Sequence, residues 1–245
     1  MKPMHPAGRM WRLYKMGGIT PALTSMFDPQ SAQQMAFIRQ MMKEQRKEAL
    51  HDIPLQDMEA VVFDLETTGF APYNGDEIIS FGGVATVGGE MAPESTFYSL
   101  VNPKRDIPPH ISELTGITNG QAGGAPELMD VLQRFLSFVQ QKALIAHGAA
   151  HDKGFLNAAL WKTSRVSLNH RVLDTMMIAK WLLPRRRHYD LDTLLHEFGI
   201  PVTQRHHALE DALMTARLWT ELMAEIKARH IDTLGDLYEQ LSRHH

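Results

Sequence analysis

The chain contains no cysteine. Disulfides, thiolate metal sites and cysteine nucleophiles are therefore all excluded, and the absence fits a reducing, cytoplasmic interior. No apolar run approaches the ~20 residues that a membrane span needs, and no apolar core of a signal peptide follows the basic residues near the start. Excess positive charge is missing as well: the formal net charge over 245 residues is -3. A module that only binds nucleic acid is often strongly basic, whereas an enzyme can confine positive charge to one groove. No internal repeat or low-complexity tract is present. With 44% hydrophobic residues, the chain is long enough for one sizeable domain and an appendage.

The appendage is set apart by charge. Residues 1–58 hold the bases Lys2, Arg9, Arg12, Lys15, Arg39, Lys43, Arg46 and Lys47 against the acids Asp28, Glu44, Glu48, Asp52 and Asp57. Residues 1–30 carry Pro, Gly and Met without periodicity and are expected to be poorly ordered. From Ser31, a plausible N-cap, Met35, Ile38, Met42 and Ala49 recur at helical spacing, which predicts a basic amphipathic helix to about residue 50. Packing on the body is its commonest fate; a partner or a phosphate backbone are the alternatives. Residues 59–245 form the second unit.

Within that unit, strands are expected at Ala60–Phe63, Glu77–Val87 and Thr96–Asn102, with a hairpin turn at Gly88-Gly89 between the last two. Two more are expected at Ala143–Ala146 and Val172–Leu173. Helices should cover roughly 126–140, 152–162, 175–183, 190–198 and 207–228. Three strands in a meander followed by strands alternating with helices predict an α/β fold, a mixed five-stranded sheet flanked by helices.

Phe63-Asp64-Leu65-Glu66-Thr67-Thr68-Gly69 ends the first strand with two acids. Side chains alternate along a strand, so Asp64 and Glu66 share a face and Leu65 points to the other. Two carboxylates ~4 Å apart repel by about 4 kcal/mol at an effective dielectric near 20. The motif has no Lys or Arg, so a shared proton or a bound cation must relieve this. Asp152, at the start of a helix, and Asp211, in the first turns of the last long helix, are expected to converge on the same spot. Oxygen-only ligands suit Mg²⁺ or Mn²⁺ rather than zinc, and four carboxylates suffice for two ions serving phosphodiester cleavage. Singly, Asp152 reads as a helix N-cap and Asp211 as a surface acid; the metal reading rests on the set.

His206 precedes Asp211 by five positions. On one helix the two would lie about 140° apart, so His206 is expected in the loop before the helix, leaning over the site as a general base. His207 is the natural decoy. His147 and His151 stand at i, i+4, but the Glu of a zinc His-Glu-x-x-His motif is replaced by Gly148. Asp174 is expected to cap the helix that starts at Thr175. The run Arg185-Arg186-Arg187 is either a solvated loop or a phosphate holder.

In these motifs the chain resembles the DEDDh exonuclease family. Asp64, Glu66, Thr67 and Gly69 match its first motif, Asp152 its second-motif acid, and His206, Ala208 and Asp211 its third. Segments Ile111–Thr118 and Val172–Thr175 are similar too, and the likeness covers residues 59–228. It implies an RNase H-like fold and a 3′–5′ exonuclease acting on a single-stranded 3′ end, DNA before RNA, with a DNA polymerase as partner. It also implies Asp64, Glu66, Asp152 and Asp211 as holders of two metal ions and His206 as the base. Main-chain groups of Leu65 and Thr67 would meet the terminal nucleotide. The family's second motif, His-Asn-x-x-Phe-Asp, here reads His147-Gly148-Ala149-Ala150-His151-Asp152. The resemblance gives positions 148 and 151 contacts with that nucleotide, so His151 is a substrate-binding candidate. Among four carboxylates its pKa is expected to rise in the metal-free protein. An RNA-trimming enzyme and a polymerase-binding scaffold with little activity are the rival readings.

Overall fold

The computed structural model describes residues 29–43 and 53–243. Five strands form one sheet: β1 (Glu59–Thr67), β2 (Ile78–Val87), β3 (Glu90–Leu100), β4 (Ala143–Ala146) and β5 (Val172–Asp174), in the order β3-β2-β1-β4-β5. β1, β2 and β3 are antiparallel neighbours, while β4 and β5 run parallel to β1, giving the expected mixed sheet. Val87 pairs with Glu90 across Gly88 and Gly89, whose φ angles are 57° and 92°. Positive φ at both central residues makes the two-residue hairpin turn that suits strand twist, and Gly adopts it without a Cβ penalty.

Among the described residues the helices are α1 (Pro29–Lys43), α2 (Pro109–Thr115), α3 (Asn119–Gly123), α4 (Leu128–Val139), α5 (Ala150–Ser164), α6 (Thr175–Leu182), α7 (Leu191–Glu197), α8 (Ala208–Ala228) and α9 (Leu234–Arg243). The five expected helices correspond to α4 to α8, with ends within two residues. Alternation along β1 divides the core. Ala60 and Val62 face a cluster with α6, α7, α8 and α9, including Trp219, Leu222 and Ile226. Val61, Phe63 and Leu65 face the other cluster, which contains Phe135, Leu136, Phe155 and Leu156 of α4 and α5.

α1 belongs to that second cluster. Ile38 and Met42 are 0% and 2% exposed, and Arg39 donates from Nε to the Ser164 carbonyl at 2.9 Å. Gln34 reaches Asp130 at 2.6 Å, and Asn169 donates to the Met42 carbonyl at 2.7 Å. The helix thus covers α4 and α5 with its apolar stripe and satisfies the last carbonyl of α5 with its basic side. The helix starts at Pro29, so Pro29 and Gln30, expected to be poorly ordered, are helical and Ser31 lies inside the first turn rather than capping it. Residues 1–28 of the segment expected to be poorly ordered lie outside the described residues, as does Ala49.

Candidate active site

β4 pairs with β1 only over Ala60–Val62. Past Val62 the β4 side of β1 is open, and that opening is where the site forms. Asp64 and Glu66 lie on the face of β1 that Ala60 and Val62 share, as strand alternation predicts. Further along this face the sheet meets the N-terminal turn of α8, which brings Asp211. One carboxylate oxygen from each of Asp64, Glu66 and Asp211 lies within 4.8 Å of the others. Asp152, in the first turn of α5, joins from the open edge, and its Oδ1 accepts the Leu65 N–H at 3.1 Å. Ala149, not Asp152, is the N-cap of α5, so Asp152 is an acid held on the strand rather than a helix cap.

Burial raises the pKa of every member, and repulsion from the other acids adds to it at Asp64 and Glu66. Glu66, 8% exposed, is pushed up to about 8 by burial and then by the Asp211 and Asp152 charges. Asp152 is pushed to about 7 by burial, against the pull of the Leu65 N–H. Asp64 is raised well above the ordinary carboxyl value by burial, Asp152, Glu66 and Asp211. Asp211 is raised by burial, partly offset by Arg205. Negative charge here is under-compensated, and the donors are all oxygen. That combination fits hard divalent cations, which remove the repulsion and use such ligands.

The histidines divide by role. α8 begins at Ala208, so His206 lies outside it as expected, with φ 58°. Its backbone N–H donates to Asp211 Oδ2 at 2.8 Å, and its imidazole lies near enough to help lower that carboxyl's pKa. His207 caps α8, accepting from the Glu210 N–H, and stacks on Tyr98 at 4.7 Å between ring centres. His147 uses both ring nitrogens inside the protein, one 2.9 Å from Thr175 Oγ1 and the other 2.9 Å from the Tyr189 carbonyl. It has no nitrogen left for a shared zinc with His151. Arg186 of the basic run pairs with Glu197, and Arg185 and Arg187 are exposed.

The departures in the second motif have a structural meaning. Gly148 has φ +68°, a left-handed conformation that Asn also tolerates, so Gly keeps the loop the family pattern draws there. Asp174 accepts from Gly148 and Ala149 N–H at 2.9 and 3.0 Å while capping α6 through Met176 N–H. It braces the loop that delivers Asp152. His151 Nε2 lies 3.5 Å from Thr67 Oγ1, and its ring packs on Phe155 at 4.8 Å and Phe70 at 5.7 Å. Its pKa is lowered by burial, opposite to the expected rise. Its environment is aromatic, and burial disfavours the charged imidazolium. Thr67 Oγ1 donates to the Gly69 carbonyl at 2.7 Å. The Leu65 N–H is committed to Asp152, which leaves only other Leu65 atoms for any substrate.

Two residues that pattern reading passes over shape the site. Gly82 pairs with Asp64 across β1 and β2, and a Cβ there would stand 2.1 Å from the Ala208 carbonyl carbon and oxygen. Only a glycine lets α8 approach the sheet closely enough to set Asp211 beside Asp64. Arg205 reaches Asp211 Oδ1 through Nη1 and Asp192 Oδ1 through Nε at 2.6 Å. It supplies the one basic partner of the acidic cluster among the described residues, and Asp192 holds it in place. Nothing in its local sequence marks either contact.

A buried cluster of acids at the open edge of a mixed sheet, with a histidine beside it, has the oxygen donor set that could hold a divalent cation, and such sets serve phosphodiester chemistry. The comparisons give this class its family. The chain belongs to the exonuclease family: the RNase T exonuclease profile matches residues 61–219. It is 34% identical over 198 residues to a DNA polymerase III subunit epsilon-like protein of Rhodobacter capsulatus, covering 80% of this chain and 28% of that one. It is 36% identical over 186 residues to the PolC-type DNA polymerase III of Clostridium perfringens, covering 74% of this chain and 13% of the relative. The chain thus spans under a third of the length of these relatives. Among solved structures it resembles the nuclease domain of 3′hExo, a DEDDh family member, bound to rAMP. There the TM-score is 0.60 at 22% identity, covering 68% of this chain and 92% of that one. The fold is that of the DEDDh exonucleases, a divalent-metal-dependent family.

Proposed function

We propose that this chain is a 3′–5′ exonuclease that releases nucleoside monophosphates from the 3′ end of DNA, in replication proofreading or repair. The observation that carries the reading is the convergence of Asp64, Glu66 and Asp211 oxygens within 4.8 Å, with Asp152 tied to the same strand. Two divalent ions, Mg²⁺ or Mn²⁺, held by Asp64, Glu66, Asp152 and Asp211, would supply a polarised water and charge neutralisation at the phosphate and the leaving 3′ oxygen. His206 takes the proton from that water. In support, His206 stands just before α8 and its backbone N–H is fixed to Asp211, which keeps the residue beside the cluster without making it part of the helix. Asp211 thereby has two tasks, as a ligand and as the group that fixes the base. Thr67 and Leu65 offer main-chain atoms, and His151 an aromatic face, to the terminal nucleotide.

The residues of 59–245 form the exonuclease domain, and 1–58 an extension whose helix α1 braces it from the side of α4 and α5. The names of the relatives support a DNA polymerase as partner, with proofreading done on a strand handed to this chain. The test is to incubate the purified protein with 3′- and 5′-labelled DNA and RNA, with and without Mn²⁺. Metal-dependent release of mononucleotides from the 3′ end, faster on DNA, is expected. Faster release from RNA would reassign the enzyme to RNA trimming. No cleavage of either would leave a scaffold role.

A further inference from the structure

Among the described residues, the most exposed large apolar side chains lie on the loop after β1 and on α5, next to the active site. Phe70 is 83% exposed and Tyr73 73%, both in the loop between β1 and β2, and Trp161 of α5 is 55% exposed. The loop lies on α5: a Cβ at Gly154 would stand at ordinary contact distance, 3.5 Å, from Pro72. Phe70 packs on His151, which reaches Thr67 and the end of β1. Tyr73 and Trp161 both line a cleft of about 170 Å³, together with Pro72, Phe155, Ala158 and Lys162. That is well below the ~300–1,000 Å³ that encloses a small molecule, so the cleft suits the edge or face of a single ring. The aromatic row therefore begins at the carboxylates and leads away from them along α5.

Charge along the row is mildly positive. The Arg165 guanidinium lies 5.5 Å from the Trp161 ring centre. Lys162 lines the cleft together with the acids Asp76 and Glu77, and both acids are paired: Glu77 with Lys162 at 2.6 Å and Asp76 with Arg105 at 3.1 Å. Exposed aromatic faces interleaved with cations, continuous with a phosphodiester-cleaving centre, are what a single strand binds without sequence preference. A contiguous apolar surface of this kind is otherwise unfavourable in water.

We propose that the cleft between Tyr73 and Trp161 is a base-stacking subsite for the strand upstream of the scissile nucleotide. This inference rests on the exonuclease reading for the direction of the strand. Trp161 lies nine residues beyond Asp152 on α5, about 14 Å along its axis. At ~3.4 Å per phosphate for a stacked strand this is about four nucleotides, and fewer if the strand is extended. A dinucleotide occupies the carboxylate site without reaching the cleft, while an octanucleotide reaches it.

The test uses the full chain with dT2 and dT8. The variant Tyr73→Ala/Trp161→Ala is expected to raise KM for dT8 about 10–100-fold, with kcat, the KM for dT2 and the melting temperature unchanged. Trp161→Phe keeps a stacking face and should restore the wild-type KM. In the inactive Asp64→Asn background, dT8 but not dT2 should quench the tryptophan fluorescence that Trp161→Phe removes. Equal losses on dT2 and dT8, or none, overturn the proposal. If the wild type cleaves no oligonucleotide, the exonuclease reading fails on its own. The quenching then still decides the cleft: quenching by dT8 supports it, and unchanged fluorescence means the patch serves something other than a nucleic acid strand.

Discussion

Replacing Glu66 by Gln in the metal-free protein should make it more stable, by an amount set by pH. The Glu66 carboxyl, pushed to about 8 in the folded protein from 4.5, holds its proton more tightly folded than unfolded. Between those pH values the native state binds more protons, so stability falls as pH rises through the window. At pH 8 the loss for this one group is about 4 kcal/mol, and sharing the proton with Asp64 and Asp152 leaves on the order of 2–4 kcal/mol. Gln keeps the shape and removes the charge. In EDTA at pH 8 the variant should melt about 5–15 °C above wild type, given ~2–4 °C per kcal/mol for a domain of this size. Below pH 4.5 both proteins are neutral at this position and the melting curves should coincide. Millimolar Mn²⁺ at pH 8 should raise the wild type and narrow the gap. The assay is thermal denaturation by circular dichroism from pH 4 to 8, with and without metal. A Glu66→Gln protein that melts at or below wild type at pH 8 in EDTA would refute the argument that uncompensated carboxylates surround this position.

His206→Ala should lower the cleavage rate by ~10²–10⁴ with little change in Mn²⁺ affinity by calorimetry. His207→Ala, which loses a cap and a stack on Tyr98, should cost stability instead, and the reverse ranking would move the base to His207. Gly82→Ala forces a methyl against Ala208 and should cost about 1–3 kcal/mol while weakening Mn²⁺ binding, because α8 must withdraw Asp211; unchanged binding would separate the glycine from the site. Ile38→Ala should destabilise by about 2–4 kcal/mol in chemical denaturation with kcat unchanged, since α1 packs on α4 and α5 and contributes none of the site residues. A negligible effect would mean that α1 does not seal that face.

The acids and the sheet were legible because both obey local rules. Alternation places Asp64 and Glu66 on one face, and the paired glycines at 88 and 89 mark the hairpin. The start of α8 at Ala208 fixes His206 outside it, as the five-residue spacing requires. The short helices α2 and α3, seven and five residues long, are below the length at which periodicity speaks. The remaining gaps are long-range. Gly82 matters because a helix 126 residues later packs on it, and Arg205 because Asp192 and Asp211 flank it in space. Asp152 looks like a cap from its neighbours, yet its carboxylate is spent on the Leu65 N–H across the open edge of β1. The pKa of His151 follows Phe70 and Phe155, which the motif alone does not bring to it.

The most direct measurement of the central claim is the release of label from one 20-nucleotide DNA strand, tagged at its 3′ end or at its 5′ end, by wild type and Asp64→Asn in 1 mM Mn²⁺ and in EDTA. The account predicts that the 3′ label leaves at once as a mononucleotide. The 5′-labelled strand should shorten stepwise, and both reactions should vanish in EDTA and in Asp64→Asn. Cleavage that persists in EDTA or in Asp64→Asn, or label released first from the 5′ end, would contradict it.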